Sequence, residues 1–511
     1  MAEDIDTLFA RFLDAIARHD IDAAGRLLTG HLGSFALRDL DALWSAVAGL
    51  DIRSAAVYPA IAVFHPRQHE LARLFPGRTP LPPLSTSPAG LGTADALPMS
   101  SVYAMAFARE AGRIRLARQY AEQIVAGTFY RAQTRIASPG EEWLLWFQLG
   151  KTSLTAGDLQ LADRDFMSAL GSVSASATLA RVTQAYLALV AALRGDTTRA
   201  RHFLELAAAD SDRVGGHLWS LLATARALAE VEECAPTCGE AISALDRIEE
   251  QAPLWTYILL ARTRYDELVS RPADSFGRIE AAALLYSPEI GSYAYDVLIG
   301  RRIESLILLA RLNAARTVYE ECAIDAPHCR LAGLALLFSE HDFAALDREI
   351  AAVLALRNLT PAQRVQADAF VALGAYVRSN GVSEYSASGL GRALSLRCHR
   401  RVALMFPPQL RAALEPYLSA ELDDAWQHNT AKTTLWERRP GETAGSLTPR
   451  QLAMLRHLAQ GRSYAQIAAA EHVTMNTVKT HMKLVFKKLG AQSSSEAIQT
   501  ARRWGLLDST G

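Results

Sequence analysis

Apolar residues recur at helical spacing through most of the first 425 residues, and four stretches share one arrangement. Each has a small or turn-forming residue, then an alanine five positions later that leads into an amphipathic helix. Glycine permits a tight turn, and alanine allows the second helix to pack closely on the first. The pattern predicts stacked helix hairpins, and hence an all-α fold built as an α-solenoid. The turn residues with their alanines are Gly112 with Ala117, Gly157 with Ala162, Gly195 with Ala200, and Ala310 with Ala315.

The last 65 residues or so contain the pattern of four shorter helices, which predicts a compact tetrahelical unit. Each helix begins with a polar residue that can accept a hydrogen bond from the free backbone N–H groups of the first turn. The predicted caps are Thr448 with Gln451, Ser463 with Gln466, Thr474, and Ser493 with Glu496. Within this unit, YAQIAAAEHVTMNTVKTH has the spacing of a helix-turn-helix with its turn at 471–473.

The second helix of that motif has two distinct sides. Lys479, Lys483 and Lys487 follow one another at i, i+4 and i+8 on the side next to an apolar stripe. Such a helix would bury one side and present the other to phosphates or to base edges in a major groove. The apolar stripe consists of Val478, Met482, Val485, Phe486 and Leu489.

The distribution of charge agrees with this division. Residues 446–511 contain nine Lys and Arg against three Asp and Glu, or +6, and the preceding 445 residues contain 44 against 51, or −7. The overall charge of −1 therefore combines a basic tail with an acidic body. Only the tail is expected to meet a polyanion.

Composition shifts predict five segments. These are an N-terminal helical segment (1–80), a Pro- and Gly-rich loop (81–96), the helical-repeat domain (97–425), a polar linker (426–445) and the basic tail domain (446–511). No run approaches the roughly 18 apolar residues of a membrane span. The start of the chain is acidic and amphipathic, unlike a secretion signal, so we expect a cytoplasmic protein.

No pattern indicates an enzyme. The segment LGKTS (149–153) looks like the end of a phosphate-binding loop, but the loop's first glycine is replaced by Leu145 and the stretch has the pattern of an apolar helix. The five cysteines are too few and too scattered for a disulfide framework or a zinc site, and we read them as small residues at helix ends and turns. We therefore predict no catalytic residues, no cofactor and no metal.

Two family resemblances extend this interpretation. The body, from about residue 97 to 422, resembles tetratricopeptide repeats in the degenerate form of large bacterial regulators of the maltose-activator type, without their ATPase domain. The tail is similar to the DNA-binding domain of the LuxR family, as seen in LTPRQ, the QG before the motif, IA, TVKTH and KKLG.

The LuxR resemblance implies roles for individual residues. Lys479, Thr480 and Lys483 would face bases and nearby phosphates, and Thr477 would contact the backbone. Independently of the resemblance, the position of Lys487 on the same face as Lys479 and Lys483 predicts a supporting charge for DNA binding. Val478 and Ile467 would be core. The final helix, around Ala497, Ala501 and Trp504, is where this family usually pairs two copies.

The tail departs from the family pattern in its turn and after its recognition helix. Glu471 and His472 replace the usual Leu-Gly of the turn, and His tolerates the left-handed conformation at a higher cost than Gly. Ser494 replaces a common Arg, which puts one phosphate contact in doubt.

The resulting hypothesis is a sequence-specific bacterial transcription regulator. It would bind a two-fold promoter site in double-stranded DNA as a homodimer. Its repeat body would sense a protein, a peptide or a small molecule and control the DNA-binding tail. The alternative is a helical-repeat interaction scaffold whose tail serves mainly for dimerisation.

Overall fold

The computed structural model is all-α over the residues that it describes, as predicted. Those residues form 25 α-helices and two 3-10 turns, and none of them lies in a strand. The structure describes residues 4–65, 99–130, 139–173, 176–208, 216–248, 253–322, 326–379, 384–394, 400–403, 406, 410, 414–417, 449–489, 491, 493–503 and 507. The predicted loop (81–96) and linker (426–445) lie outside these ranges, and the division into five segments stays a prediction.

The body is a succession of helix hairpins. Its N-terminal helices are α1 (Ile5–Ala17), α2 (Ile21–Ala48), α3 (Ile52–Ala55) and α4 (Pro59–Phe64). The central helices are α5 (Met99–Glu110), α6 (Ile114–Tyr130), α7 (Pro139–Thr155), α8 (Leu159–Ser172), α9 (Ala177–Arg194), α10 (Thr197–Ala208), α11 (Gly216–Glu232), α12 (Cys238–Ala244) and α13 (Trp255–Leu268). The remaining helices are α14 (Pro272–Leu285), α15 (Tyr293–Leu308), α16 (Leu312–Glu321), α17 (Pro327–Ser339), α18 (Phe343–Leu354), α19 (Pro361–Ser379), α20 (Glu384–Leu394) and α21 (Arg400–Ala403).

The four predicted hairpin turns have the backbone that the pattern requires. Gly112, Gly157 and Gly195 have φ of 73°, 84° and 78°, and Ala310 has a φ of 56°. The alanine five positions after each turn is 0% exposed in all four hairpins. The predicted tight turns and the close packing at the alanines are confirmed, and the turn residues adopt the left-handed conformation.

Other hairpins use the same turn without a glycine, which the sequence pattern missed. His19, Ser270 and His341 have φ of 60°, 58° and 61°. For His19 and His341, an aspartate directly after the turn was the available signal. Asp20 and Asp342 each accept a hydrogen bond of 3.0 Å from the backbone N–H three residues later and so cap the second helix.

The N-terminal helices share one apolar core with the repeats. This core extends from Phe9 to Val297, and a second one covers residues 303–414. Helices α2 and α7 touch through backbone, since a Cβ added to Gly33 would lie 2.5 Å from the carbonyl carbon of Gly140. Only glycine allows two helices to approach so closely.

The solenoid curls so that segments distant in sequence meet. The backbone N–H of Arg115 donates to the Glu289 carboxylate at 2.9 Å, and Arg401 Nε donates to the Glu232 carboxylate at 3.0 Å. The short helix α21 is thereby anchored to the end of α11.

The segment LGKTS is helical, as predicted, because it forms the last part of α7. A Cβ added to Gly150 would lie 2.8 Å from the Phe166 ring, so this glycine serves helix packing. Lys151 Nζ lies 3.2 Å from the carboxylate of Glu110. Burial by itself would raise the pKa of that carboxyl, but the Lys151 and Arg109 cations lower the pKa to about 2. Among the described helices, none is long and apolar enough to cross a membrane.

Candidate nucleic-acid interface

The described part of the tail contains four short helices, three of which begin at a predicted cap. They are α22 (Pro449–Ala459), α23 (Tyr464–Ala470), α24 (Met475–Leu489) and α25 (Ser494–Arg503). Ser463 and Gln466 form both hydrogen bonds of a capping box at the start of α23. The side chains of Thr474 and Ser493 each accept a 3.2 Å hydrogen bond from the backbone N–H three residues later. These three caps are confirmed, whereas Thr448 lies outside the described residues.

The turn between α23 and α24 has the expected conformation. His472 has a φ of 53°, in the left-handed region where the family pattern has glycine. The preceding residue is held by two contacts that sequence reasoning missed. Arg450 donates to the Glu471 carbonyl oxygen at 3.2 Å, and His457 Nε2 lies 3.2 Å from the Glu471 carboxylate. These contacts tie the turn to α22.

One side of α24 builds the core of the tail. Val478, Met482 and Val485 are at most 1% exposed, and they pack with Ile467 of α23. Phe486 packs against this cluster while partly exposed. The predicted core assignments of Val478 and Ile467 are confirmed, and they fix which side of α24 faces outward.

The outward side of α24 carries the predicted lysines. Lys479 and Lys483 are exposed, and no carboxylate in the described part of the tail pairs with either. Thr480 is also exposed, and its hydroxyl donates to the Asn476 carbonyl oxygen at 3.0 Å. Two ammonium groups one helical turn apart, with no carboxylate partner among the described residues of the tail, suit an extended anion. The side chain of Lys487 lies outside the described residues.

Thr477 occupies the first turn of the same helix. It is half-buried, and its hydroxyl lies 2.8 Å from that of Thr474, the residue that caps α24. Phosphate groups bind well at such helix N-termini, because free N–H groups and the helix dipole both favour an anion.

The final helix places its predicted pairing residues inward. Ala497 and Ala501 are 0% exposed and belong to the tail's own core. Any contact of these side chains with a second copy would therefore be indirect, and exposed neighbours such as Ser495 are the ones available on α25. Trp504 lies outside the described residues, and the pairing role stays a prediction.

A second feature that was not predicted from the sequence is the exposure of Leu484. It is 43% exposed on α24, beside Lys483. The available signal was its position, since Leu484 is the leucine of this helix that falls off the apolar stripe.

Comparison with known proteins supports the assignment of this domain. Residues 445–501 match the family described as bacterial regulatory proteins, luxR family. The C-terminal segment is a LuxR-family helix-turn-helix domain. Matched relatives include the response regulator protein VraR of Staphylococcus aureus and that of Staphylococcus epidermidis, each 34% identical over 70 residues. The match covers 14% of this chain and 34% of each relative, so the chain spans about a third of the length of these proteins.

Proposed function

We propose that this protein is a sequence-specific DNA-binding transcription regulator. The observation that carries the proposal is the outward face of α24, where Lys479 and Lys483 are exposed beside the buried side formed by Val478, Met482 and Val485. A helix held in this way by a neighbouring helix and a fixed turn fits the width of the DNA major groove.

The residues of this face differ in side-chain length and in chemistry. Lys479 and Lys483 carry long flexible ammonium groups that suit guanine edges and phosphates. Thr480 is exposed next to Lys483 on the outward side of the helix, and Thr477 at the helix start suits a backbone phosphate. Lys487, two turns after Lys479, adds charge along the same direction.

Two copies are proposed to bind one two-fold site. A single small domain makes few phosphate contacts, and affinity depends strongly on their number. Pairing through α25 would double these contacts without enlarging the domain. Since Ala497 and Ala501 are buried, that pairing would use the exposed side of α25 and the segment around Trp504.

The body is proposed to sense a protein, a peptide or a small molecule and to control the tail. Helical solenoids commonly bind their partners on extended concave surfaces. Helix α21, near the end of the body, is connected to the middle of the body by the Arg401–Glu232 ion pair. A change in hairpin packing could therefore shift the segment that leads to the tail. The competing function is an interaction scaffold in which the tail only dimerises.

The test is a gel shift with promoter DNA and the double substitution Lys479→Ala and Lys483→Ala. We expect specific binding to be lost while the fold stays intact, since both side chains are exposed. Arg456→Ala with Arg462→Ala is the matched control, because it removes two exposed cations from other parts of the tail. Unchanged affinity of the lysine variant would overturn the proposal.

A genome-wide footprint of the tagged full-length protein separates the regulator from the scaffold. Discrete promoter peaks support the regulator. Their absence under every growth condition tested favours the scaffold.

A further inference from the structure

Two large apolar side chains on α24 are exposed, Met475 at the first position of the helix and Leu484 in its second half. Leu484 is 43% exposed, whereas Met482 and Val485, its close neighbours in sequence, are 1% and 0% exposed. Single exposed leucines are common on protein surfaces and require no explanation by themselves. Leu484 differs from such residues in its position, because it lies on the outward side of α24, next to Lys483.

The chemistry around Leu484 is partly apolar. Thr480 lies one turn earlier, so the two side chains are neighbours on the helix surface. The Thr480 hydroxyl is engaged by the Asn476 carbonyl at 3.0 Å, which leaves the methyl group as the uncommitted part of that side chain. A short apolar strip therefore runs along the outward side of α24, beside the strip formed by Lys479 and Lys483.

We propose that Leu484 contacts thymine 5-methyl groups in the major groove and thereby contributes to sequence specificity. The proposal rests on the DNA-binding function proposed above. Among the four bases only thymine displays a methyl group on the floor of the major groove, where apolar side chains recognise it. Flanking cations favour duplex DNA over an apolar protein surface as the occupant, because an apolar partner would leave both ammonium groups without counter-charges.

The experiment uses the full chain and a duplex selected by it from a random pool. Each thymine of the selected site is replaced in turn by uracil, which removes only the methyl group. Affinities are measured by fluorescence anisotropy at one fixed salt concentration. For the natural chain we expect uracil to weaken binding about four-fold at one or more positions, the effect of one buried methyl group.

Leu484→Ala should bind the thymine and uracil duplexes equally at those positions. Leu206→Ala is the matched control, because Leu206 is 41% exposed on α10 of the body. The control should keep the about four-fold preference for thymine.

Three results would overturn the proposal. The first is a natural chain that binds every uracil duplex as tightly as its thymine counterpart. The second is a uracil effect of equal size in Leu484→Ala. The third is a Leu484→Ala variant whose oligomeric mass in solution changes while its preference for thymine over uracil does not. Leu484 would then belong to an interface between copies of the chain. Failure to select any sequence would instead overturn the proposed function itself, and this inference with it.

Discussion

Arg401 Nε lies 3.0 Å from a carboxylate oxygen of Glu232, although 169 residues separate them. Glu232 is 1% exposed and also receives Arg264 Nη1 at 3.2 Å. Arg301 extends the cluster by pairing with Glu267 and Glu304. Three arginines and three glutamates thus compensate one another in one buried cluster. Buried pairs of this kind add little net stability but cost much when one partner is removed.

Replacing Arg401 should destabilise the body. Arg401→Met leaves Glu232 and Glu267 buried with one cation fewer, so we expect a loss of about 3 to 5 kcal/mol in unfolding free energy. Urea unfolding followed by circular dichroism measures it. Arg378→Met is the control, because the Arg378–Asp347 pair has side chains 41% and 55% exposed. Its loss should stay below about 1 kcal/mol. Equal effects of the two substitutions would show that the buried cluster contributes no more to stability than an exposed ion pair.

Substitutions at two of the left-handed turns should change the free energy of unfolding in opposite directions. Ala310→Gly should stabilise the body by about 1 kcal/mol, because a φ of 56° strains alanine and suits glycine. Gly195→Ala should destabilise it by about 2 kcal/mol, because its Cβ would lie 2.5 Å from the Ala362 Cβ and φ is 78°. Shifts in urea midpoint test both. A stabilising Gly195→Ala would contradict the packing described for that turn.

Asp296 should make stability depend on pH. Its carboxylate caps α17 by accepting hydrogen bonds of 3.0 and 2.8 Å from the backbone N–H groups of His328 and Cys329. Burial raises the pKa of Asp296 from 3.8 to about 6, although these hydrogen bonds oppose the shift. Because the folded-state pKa is the higher one, the stabilising contribution is fully present below pH 3.8 and is lost as pH rises through about 6.

Asp296→Asn tests this dependence. In the natural chain, Asp296 should lower the unfolding free energy by about 3 kcal/mol between pH 4 and 7. The Asp296→Asn variant should lack this decrease. Urea midpoints across that interval are compared with those of the natural chain. Asp51→Asn is the control: hydrogen bonds from the Ser54 hydroxyl and the Arg53 backbone N–H lower the pKa of this exposed carboxyl, so it does not titrate there. Parallel pH profiles for Asp296→Asn and the natural chain would refute the assignment.

The salt dependence of DNA binding should report on the two lysines. If Lys479 and Lys483 each neutralise a phosphate, their joint replacement by alanine reduces the slope of log affinity against log salt by about 1.8. Fluorescence anisotropy from low to moderate salt measures the slope on nonspecific DNA, where binding survives. An unchanged slope would mean that neither lysine contacts a phosphate, whatever its effect on specificity.

The sequence by itself determined the local structure of this protein. Helix periodicity, the turn glycines at 112, 157 and 195, and the cap at Ser463 depend on neighbours within about five residues, and the structure shows all of them. The same holds for the outward face of α24, because Val478 and Met482 define the buried side by spacing alone.

Only the tertiary structure decided which distant residues meet. The Arg401–Glu232 pair, the capping of α17 by Asp296 and the shared core of the N-terminal helices and the repeats join segments whose separation leaves no periodic signal. The same holds for Ala497 within the tail. A small apolar residue on a short helix fits a dimer interface and a domain core equally well. Its burial in the core depends on how the other helices of the tail pack. Spacing encodes contacts within a helix or a turn, whereas contacts between distant helices depend on the curvature that all the hairpins produce together.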